Sequence, residues 1–183
     1  MISLPNTTEI TYNDTLLDVP YASQYLDVMS NEHKFRACGM TSVYMVLKYF
    51  GAADQSLDEL ITRGEREGGY GPSGWIHDYL VKMFRDHGFA CERRENVRER
   101  EVTNFRDAIK AGNPVIVSVE RVLFDRRDFH IIVLTGVREN TMRELQGFFY
   151  HDPGDTREMK HRYVPISTFY LSWRRMAILP KKV

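Results

Sequence analysis

The sequence predicts an α+β fold in which a helical part packs against an antiparallel β-sheet. Helix patterns come first along the chain and strand patterns follow them. Segregation of this kind is typical of α+β proteins with antiparallel sheets. The expected helices cover 38–50, 57–64, 74–87 and 103–111, and the expected strands cover 114–119, 129–138, 147–152 and 175–180, with a helical turn near 167–172.

A buried helix is predicted from Cys38 to Phe50. Its residues are apolar nearly all the way round, and a helix without a polar face is buried. Gly51 supplies a left-handed stop. Cys38 would then lie at the helix N-terminus, where free backbone N–H groups and the helix dipole stabilise a thiolate. This is the environment of a catalytic cysteine, although an inert small core residue is the commoner role of a free cysteine.

Capping signals predict the remaining helix starts. The run from Ser56 to Glu59 has the pattern of a capping box, which opens a helix that ends near Gly64. Ser73 is predicted to cap the next helix. The apolar positions of that helix form one stripe: Trp75, Ile76, Tyr79, Leu80, Met83 and Phe84. We expect residues 1–18 to be an irregular lead-in and residues 19–183 to form a single domain.

Composition limits the possible partners. The 183 residues contain 25 Lys and Arg against 25 Asp and Glu, so no net charge attracts nucleic acid or an anionic membrane. No stretch of 18 apolar residues predicts a membrane segment, and the N-terminus lacks the pattern of a signal peptide. We therefore expect a cytoplasmic protein, or one exported by a route without a classical signal peptide. The oligomeric state stays open.

The cysteines and histidines predict neither a disulfide framework nor a metal site. The chain has two cysteines, and Cys91 lies in a short strand pattern that suggests an inert core residue. The spacing of the cysteines and the six histidines matches no common zinc motif. We expect no metal and no other cofactor.

His130 begins a β-branched, apolar run that predicts a buried strand. A second strand ends at His151 and Asp152. If the two strands form a hairpin that turns near Thr141, Ile132 pairs with Tyr150 and His130 pairs with Asp152. Opposed side chains have Cβ atoms about 5 Å apart, so Asp152 could hold the imidazole of His130 by a hydrogen bond. Because strand side chains alternate, His151 would point to the other sheet face.

Cys38, His130 and Asp152, in this chain order, resemble the papain-like cysteine peptidases. The closer similarity is to bacteriocin-processing peptidases that cut after double-glycine leaders, and to their free-standing relatives. Five segments carry the resemblance: 19–24 (VPYASQ), 37–42 (ACGMTS), 112–117 (GNPVIV), 130–136 (HIIVLTG) and 152–154 (DPG). The family commonly has Gly-Cys-Gly-Pro at the nucleophile, whereas this chain has Ala37-Cys38-Gly39-Met40. The resemblance implies a papain-like fold with the active cleft between the helices and the sheet.

The resemblance also implies roles for four residues. Cys38 would be the nucleophile, His130 the general base and later the acid, and Asp152 the residue that orients His130. Gln24 would donate its side-chain N–H to the oxyanion hole, together with the backbone N–H of Cys38. The implied reaction is cleavage of a peptide amide through a thioester, with a peptide or protein as the partner. An amidase or acyltransferase with the same intermediate, or a silent peptide-binding module, is the alternative.

The glycine-rich loop 68–74 is the candidate substrate surface. It lacks the lysine and the spacing of a phosphate-binding loop. Glycines let an extended substrate backbone approach closely, and we expect Gly69, Gly71 and Gly39 to contact substrate. The charged connector 120–128, just before His130, is expected at the rim of the same cleft, or else as a solvated hairpin loop.

Overall fold

The computed structural model describes residues 11–52, 54–121 and 128–182. Five α-helices lie within these ranges: α1 (Cys38–Phe50), α2 (Leu57–Arg66), α3 (His77–Asp86), α4 (Thr103–Lys110) and α5 (Ile166–Ser172). Nine strands accompany them: β1 (Tyr12–Leu16), β2 (Tyr70–Gly71), β3 (Gly74–Trp75), β4 (Ala90–Arg94), β5 (Val115–Arg121), β6 (Asp128–Asn140), β7 (Leu145–His151), β8 (Arg162–Pro165) and β9 (Trp173–Lys181).

In the described part of the chain, seven strands form one antiparallel sheet. Six of them follow the order β4-β9-β5-β6-β7-β8, and β1 pairs with the second half of β6. The strands β2 and β3 make a separate small hairpin. Helices packed against an antiparallel sheet confirm the predicted α+β class. None of the helices in the described ranges is long and apolar enough to cross a membrane.

The helix α1 has the predicted bounds and the predicted environment. Nine of its residues are buried, and Gly51 ends it in the left-handed conformation with φ 83°. Its N-cap, Ala37, makes no side-chain capping hydrogen bond, and its first turn contains no acidic residue. Ser42 donates from Oγ to the Ile131 carbonyl at 3.4 Å, which ties the helix to β6. Because no side chain caps the helix and no acidic residue lies in its first turn, the positive end of α1 is left free beside Cys38.

The capping box at Ser56 is confirmed, whereas the predicted start of α3 is wrong. The Ser56 side chain accepts from the Glu59 N–H, and the Ser56 N–H donates to the Glu59 carboxylate. The helix α2 continues two residues past its predicted end at Gly64. Ser73 lies in the turn of the β2–β3 hairpin and caps nothing, because the helix begins only at His77. The loop 68–74 is thus largely a folded hairpin.

The expectation that residues 1–18 are irregular is wrong for Tyr12–Leu16, which form the strand β1. Strand β1 pairs with β6 from Tyr12 opposite Asn140 to Leu16 opposite Gly136. The Asp14 carboxylate accepts two hydrogen bonds from Arg138, at 2.8 and 2.7 Å. The strand is mostly exposed and polar, so it lacks the apolar alternation that marks a half-buried strand.

The β6–β7 hairpin exists, but its register differs from the predicted one. Leu134, and not Ile132, lies opposite Tyr150. The reason is the turn: the Asn140 N–H bonds the Glu144 carbonyl at 3.0 Å, so the hairpin centres one residue later than Thr141. Moving the centre of the hairpin by one residue moves its pairs by two, and irregularities in the pairing add one more residue to the shift from Gly136 to Arg138. His130 is therefore not directly opposite Asp152.

Candidate active site

Cys38 is the first residue of α1 and its side chain is partly exposed. Burial acts to raise its pKa, but the hydrogen bond and charge of His130, with backbone hydrogen bonds from Ile131 and Gly39, outweigh burial and lower the pKa below that of an ordinary thiol. The uncapped helix N-terminus acts in the same direction. Cys38 is therefore more acidic than an ordinary thiol.

His130 lies in β6 and is 5% exposed. Its Nε2 is 2.5 Å from Oδ1 of Asp152. Burial acts to lower the pKa of His130, but hydrogen bonds and charge interactions with Asp152 and Cys38 raise it to about 9. A lowered thiol pKa beside a raised imidazole pKa favours a thiolate–imidazolium pair at neutral pH.

Asp152 follows β7 directly and is fixed by its neighbours. Its Oδ1 also accepts from the Gly154 N–H at 2.7 Å, and its carbonyl accepts from the Tyr21 hydroxyl at 3.1 Å. The predicted contact between His130 and Asp152 is confirmed. The contact is diagonal, because Asp152 lies two positions away from the point directly opposite His130. Side chains at such diagonal positions can still reach one another.

Gln24 is buried and lies between the two loops that flank the site. Its backbone N–H bonds the Pro153 carbonyl at 2.7 Å, and its Nε2 donates to the Lys34 carbonyl at 2.6 Å. Its Oε1 has no hydrogen-bond partner among the described residues. A side-chain amide carries two N–H donors, so one remains for another acceptor. Its role at the oxyanion stays a prediction.

A cleft of about 520 Å³ opens beside Cys38. Its walls are the segment 71–77 and four residues from the sheet: Ser118, Phe129, Ile131 and Arg174. Sequence reasoning missed these four sheet residues as cleft components. Nothing in the local pattern around Arg174 signals proximity to Cys38, because the sheet order alone brings β9, β5 and β6 together there.

The three glycines expected to contact substrate have different surroundings. Gly71 lies in the cleft wall. Gly69 is buried, its N–H bonds Gly64, its carbonyl bonds Ile76, and an added Cβ would lie 2.4 Å from the Tyr79 ring. Both backbone groups of Gly69 and the space beside it are therefore already used, and its contact with substrate stays a prediction.

Gly39 is buried beneath the cleft instead of lining it. A Cβ at this position would lie 3.0 Å from Cδ1 of Trp75, a residue of the cleft wall. The absence of a side chain thus makes room for the indole, whose Nε1 donates to the Arg36 carbonyl at 2.6 Å. Gly39 thus contributes to the cleft indirectly, through the position of Trp75, and its direct contact with substrate stays a prediction.

His151 takes no part in the His130–Asp152 pair. Its ring is fully buried against Tyr21 and His161, and neither nitrogen has a hydrogen-bond partner within the described ranges. Burial and the positive charges of His161 and Lys160 lower its pKa to about 3, so it is neutral. Asp152, and not its neighbour His151, contacts the imidazole of His130.

The two cysteines differ in a way that alkylation can measure. Burial is the main cause that raises the pKa of Cys91 to about 12, whereas the pKa of Cys38 is lowered. Because the thiolate is the reacting form, we expect iodoacetamide to modify Cys38 much faster, with a pH midpoint below about 8.5. Peptide mass mapping over a pH series measures both rates. Equal, slow modification of the two thiols would contradict this description of Cys38.

Within the described ranges, no group of three or more His, Cys, Asp or Glu side chains could hold a metal ion. Most of the charged connector 120–128 lies outside the described residues, so its expected position at the cleft rim stays a prediction. The described residues thus place a thiol of lowered pKa beside an imidazole that is hydrogen-bonded to a carboxylate.

Solved structures share this fold. A Bacillus anthracis protein assigned as a C39-like peptidase is 17% identical, with a TM-score of 0.69, and the match covers 93% of this chain and 98% of that one. A double-glycine motif protease from an AMS/PCAT transporter, solved with its leader peptide, is 18% identical, with a TM-score of 0.62 over 92% of this chain and 94% of that one.

The peptidase domain of Streptococcus ComA is 19% identical with a TM-score of 0.59, and the match covers 81% of this chain and 93% of that domain. At these identities the similarity shows the fold alone. No curated protein matches the chain significantly. The family model described as peptidase C39-like matches residues 16–179, which include every residue of the site. The chain therefore belongs to the peptidase C39-like family.

Proposed function

We propose that this protein is a cysteine peptidase that cleaves a peptide amide bond through a thioester acyl-enzyme. One observation carries the proposal: Nε2 of His130 lies 2.5 Å from Oδ1 of Asp152, and His130 lowers the pKa of the Cys38 thiol at the start of α1. This is the nucleophile, base and orienting residue that acyl transfer requires. The lowered thiol pKa and raised imidazole pKa favour the reactive charge state before substrate binds.

In the proposed first step the Cys38 thiolate attacks the peptide carbonyl and forms a tetrahedral oxyanion. His130 donates its proton to the departing amine, which leaves the acyl group on the sulfur. A water molecule then gives a proton to His130 as it attacks the thioester, and the acid product departs as the Cys38 thiolate is released beside protonated His130. Asp152 holds the imidazole by Nε2 throughout and keeps the other ring nitrogen available to the sulfur.

Donors for the oxyanion lie at the start of α1 and on Gln24. The first N–H groups of a helix have no carbonyl partner within it, and the Cys38 N–H is one of them. The remaining amide N–H of Gln24 would supply the second donor. Its hydrogen bonds to Lys34 and Pro153 hold it in advance of the reaction, which is the condition for effective oxyanion stabilisation.

The cleft supports a peptide as the substrate. The solved double-glycine motif protease is bound to a leader peptide, and an extended peptide is the corresponding ligand that we propose here. Gly71 and Gly74 in the cleft wall leave room for a peptide backbone next to Cys38. An amidase or an acyltransferase would use the same thioester and differ only in the group that enters or leaves.

Cleavage of a defined peptide library at several pH values tests the proposal. We expect kcat/KM to fall in acid, because the Cys38 thiolate becomes protonated, and to fall near pH 9, because His130 loses its proton. Mass spectrometry of the products distinguishes hydrolysis from transfer to an added amine.

Two variants are the controls for this experiment. Cys91→Ala should keep the pH profile, since Cys91 lies in β4 away from the cleft. Cys38→Ala should lose cleavage at every pH. If wild type and Cys38→Ala instead bind peptides equally well and neither cleaves them, the protein is a binding module and the proposed function is wrong.

A further inference from the structure

Arg174 is the second residue of β9 and lies in the wall of the cleft that contains Cys38. Its guanidinium carbon is 3.4 Å from the centroid of the Phe129 ring, and its Nη1 donates to Ser118 Oγ at 3.3 Å. Ser118 belongs to β5 and Phe129 to β6. The exposed side chain is therefore held across three neighbouring strands.

The charge of Arg174 is not balanced within the cleft. Among the side chains that the structure describes, none of the cleft residues is acidic, and Arg174 is the one permanent cation. His77 lies in the same wall, and burial together with the charges of Arg93 and Arg174 lowers its pKa, so it is neutral at pH 7. The Asp152 carboxylate is hydrogen-bonded to His130, and neither residue belongs to the cleft lining. The cleft is thus electropositive at Arg174.

The remaining donors of Arg174 suit one kind of ligand. A guanidinium has five N–H donors in a planar fork that matches a carboxylate, and one of them is used by Ser118. A peptide in the cleft would exclude water from the guanidinium, which already lies on the Phe129 ring. Without a negative partner, that desolvation would disfavour binding.

We propose that Arg174 is a specificity-determining residue that binds an acidic side chain of the substrate next to the scissile bond. This inference rests on the proposed peptidase function. Because Arg174 is exposed in the free protein, the preference is expected at the lower end for charged hydrogen bonds, about tenfold for Glu over Gln.

The test compares wild type, Arg174→Gln and Arg66→Gln on a quenched fluorescent peptide library. Arg66→Gln is matched in charge, since Arg66 is an exposed residue of α2 outside the cleft. Peptides cut by wild type should be rich in Asp or Glu at one position near the cut. Two peptides that differ only by Glu or Gln at that position are then compared by the ratio of their kcat/KM values. Arg174→Gln should bring this ratio close to one by slowing cleavage of the Glu peptide alone. Arg66→Gln should leave the ratio unchanged.

Two results would overturn the role of Arg174: no acidic preference in the wild type, or an equal loss on both peptides in Arg174→Gln. If acidic preference occurs only at a free peptide C-terminus, the same contact is supported with the terminal carboxylate as its source.

A binding measurement separates this inference from the proposed function. If neither the wild type nor any variant cleaves a peptide, the proposed function fails. The peptides of the same library that bind to the Cys38→Ala protein then show whether Arg174 contacts a carboxylate. Retained peptides rich in Asp or Glu, with that enrichment lost in Cys38→Ala/Arg174→Gln, support the carboxylate site. Retention that does not depend on Arg174 overturns it.

Discussion

Replacing His130 with alanine is expected to abolish peptide cleavage, lowering kcat/KM by about 10³-fold or more. The imidazole is hydrogen-bonded to Asp152 and interacts with the Cys38 thiol, so its loss removes the proton donor for the leaving amine. It also removes the positive charge that lowers the pKa of Cys38. Two measurements therefore change together: turnover falls, and the pH midpoint for alkylation of Cys38 rises.

His151→Ala is the control for this variant, because it removes the same ring one residue away from Asp152. Its ring nitrogens form no hydrogen bond among the described residues, so we expect a lower melting temperature with little change in kcat per folded molecule. Asp152→Ala should cost less activity than His130→Ala, since the base is kept while its orientation is lost. A His151→Ala protein that is folded and inactive would show that the roles of the two histidines are reversed.

The parts of the fold that could be predicted are those with a local signal. The helix α1 was predicted to the residue, because its all-round apolar pattern and Gly51 lie within one continuous segment. Strand β1 could not be predicted, because its polar residues are ordered by pairing with β6 far along the chain. The start of α3 was placed too early, because a hairpin forms between Tyr70 and Trp75 and uses the capping serine in its turn.

The candidate site divides in the same way. Cys38, His130 and Asp152 were identified from short segments, and their contact survives the error in hairpin register because side chains two positions apart on paired strands remain within reach. The cleft could not be derived, since Ser118 and Arg174 come from strands whose neighbours depend on the sheet order. The packing of Gly69 against Tyr79 could not be predicted either, because a packing glycine and a ligand-contacting glycine have the same sequence pattern.

Replacing Gln24 with alanine is expected to lower kcat by about 10²-fold or more, with a smaller effect on KM. The reason is that the amide donor is needed chiefly when negative charge develops on the substrate oxygen. Gln24→Glu should be at least as damaging, because it removes the donor and sets a carboxylate beside the oxyanion and the Lys34 carbonyl.

Loss of the hydrogen bond from Gln24 to Lys34 could lower activity simply by loosening the loop before Cys38, so a matched structural control is required. Ser23→Ala supplies it: Ser23 is also fully buried, and its hydroxyl donates to the Asp155 carbonyl at 2.7 Å, which leaves no hydroxyl proton for an oxyanion. Steady-state kinetics and thermal unfolding of both variants separate the two causes. A loss of kcat in Gln24→Ala well beyond that in Ser23→Ala, at comparable melting temperatures, supports the oxyanion role; equal losses that follow the fall in stability would reduce Gln24 to a loop tether.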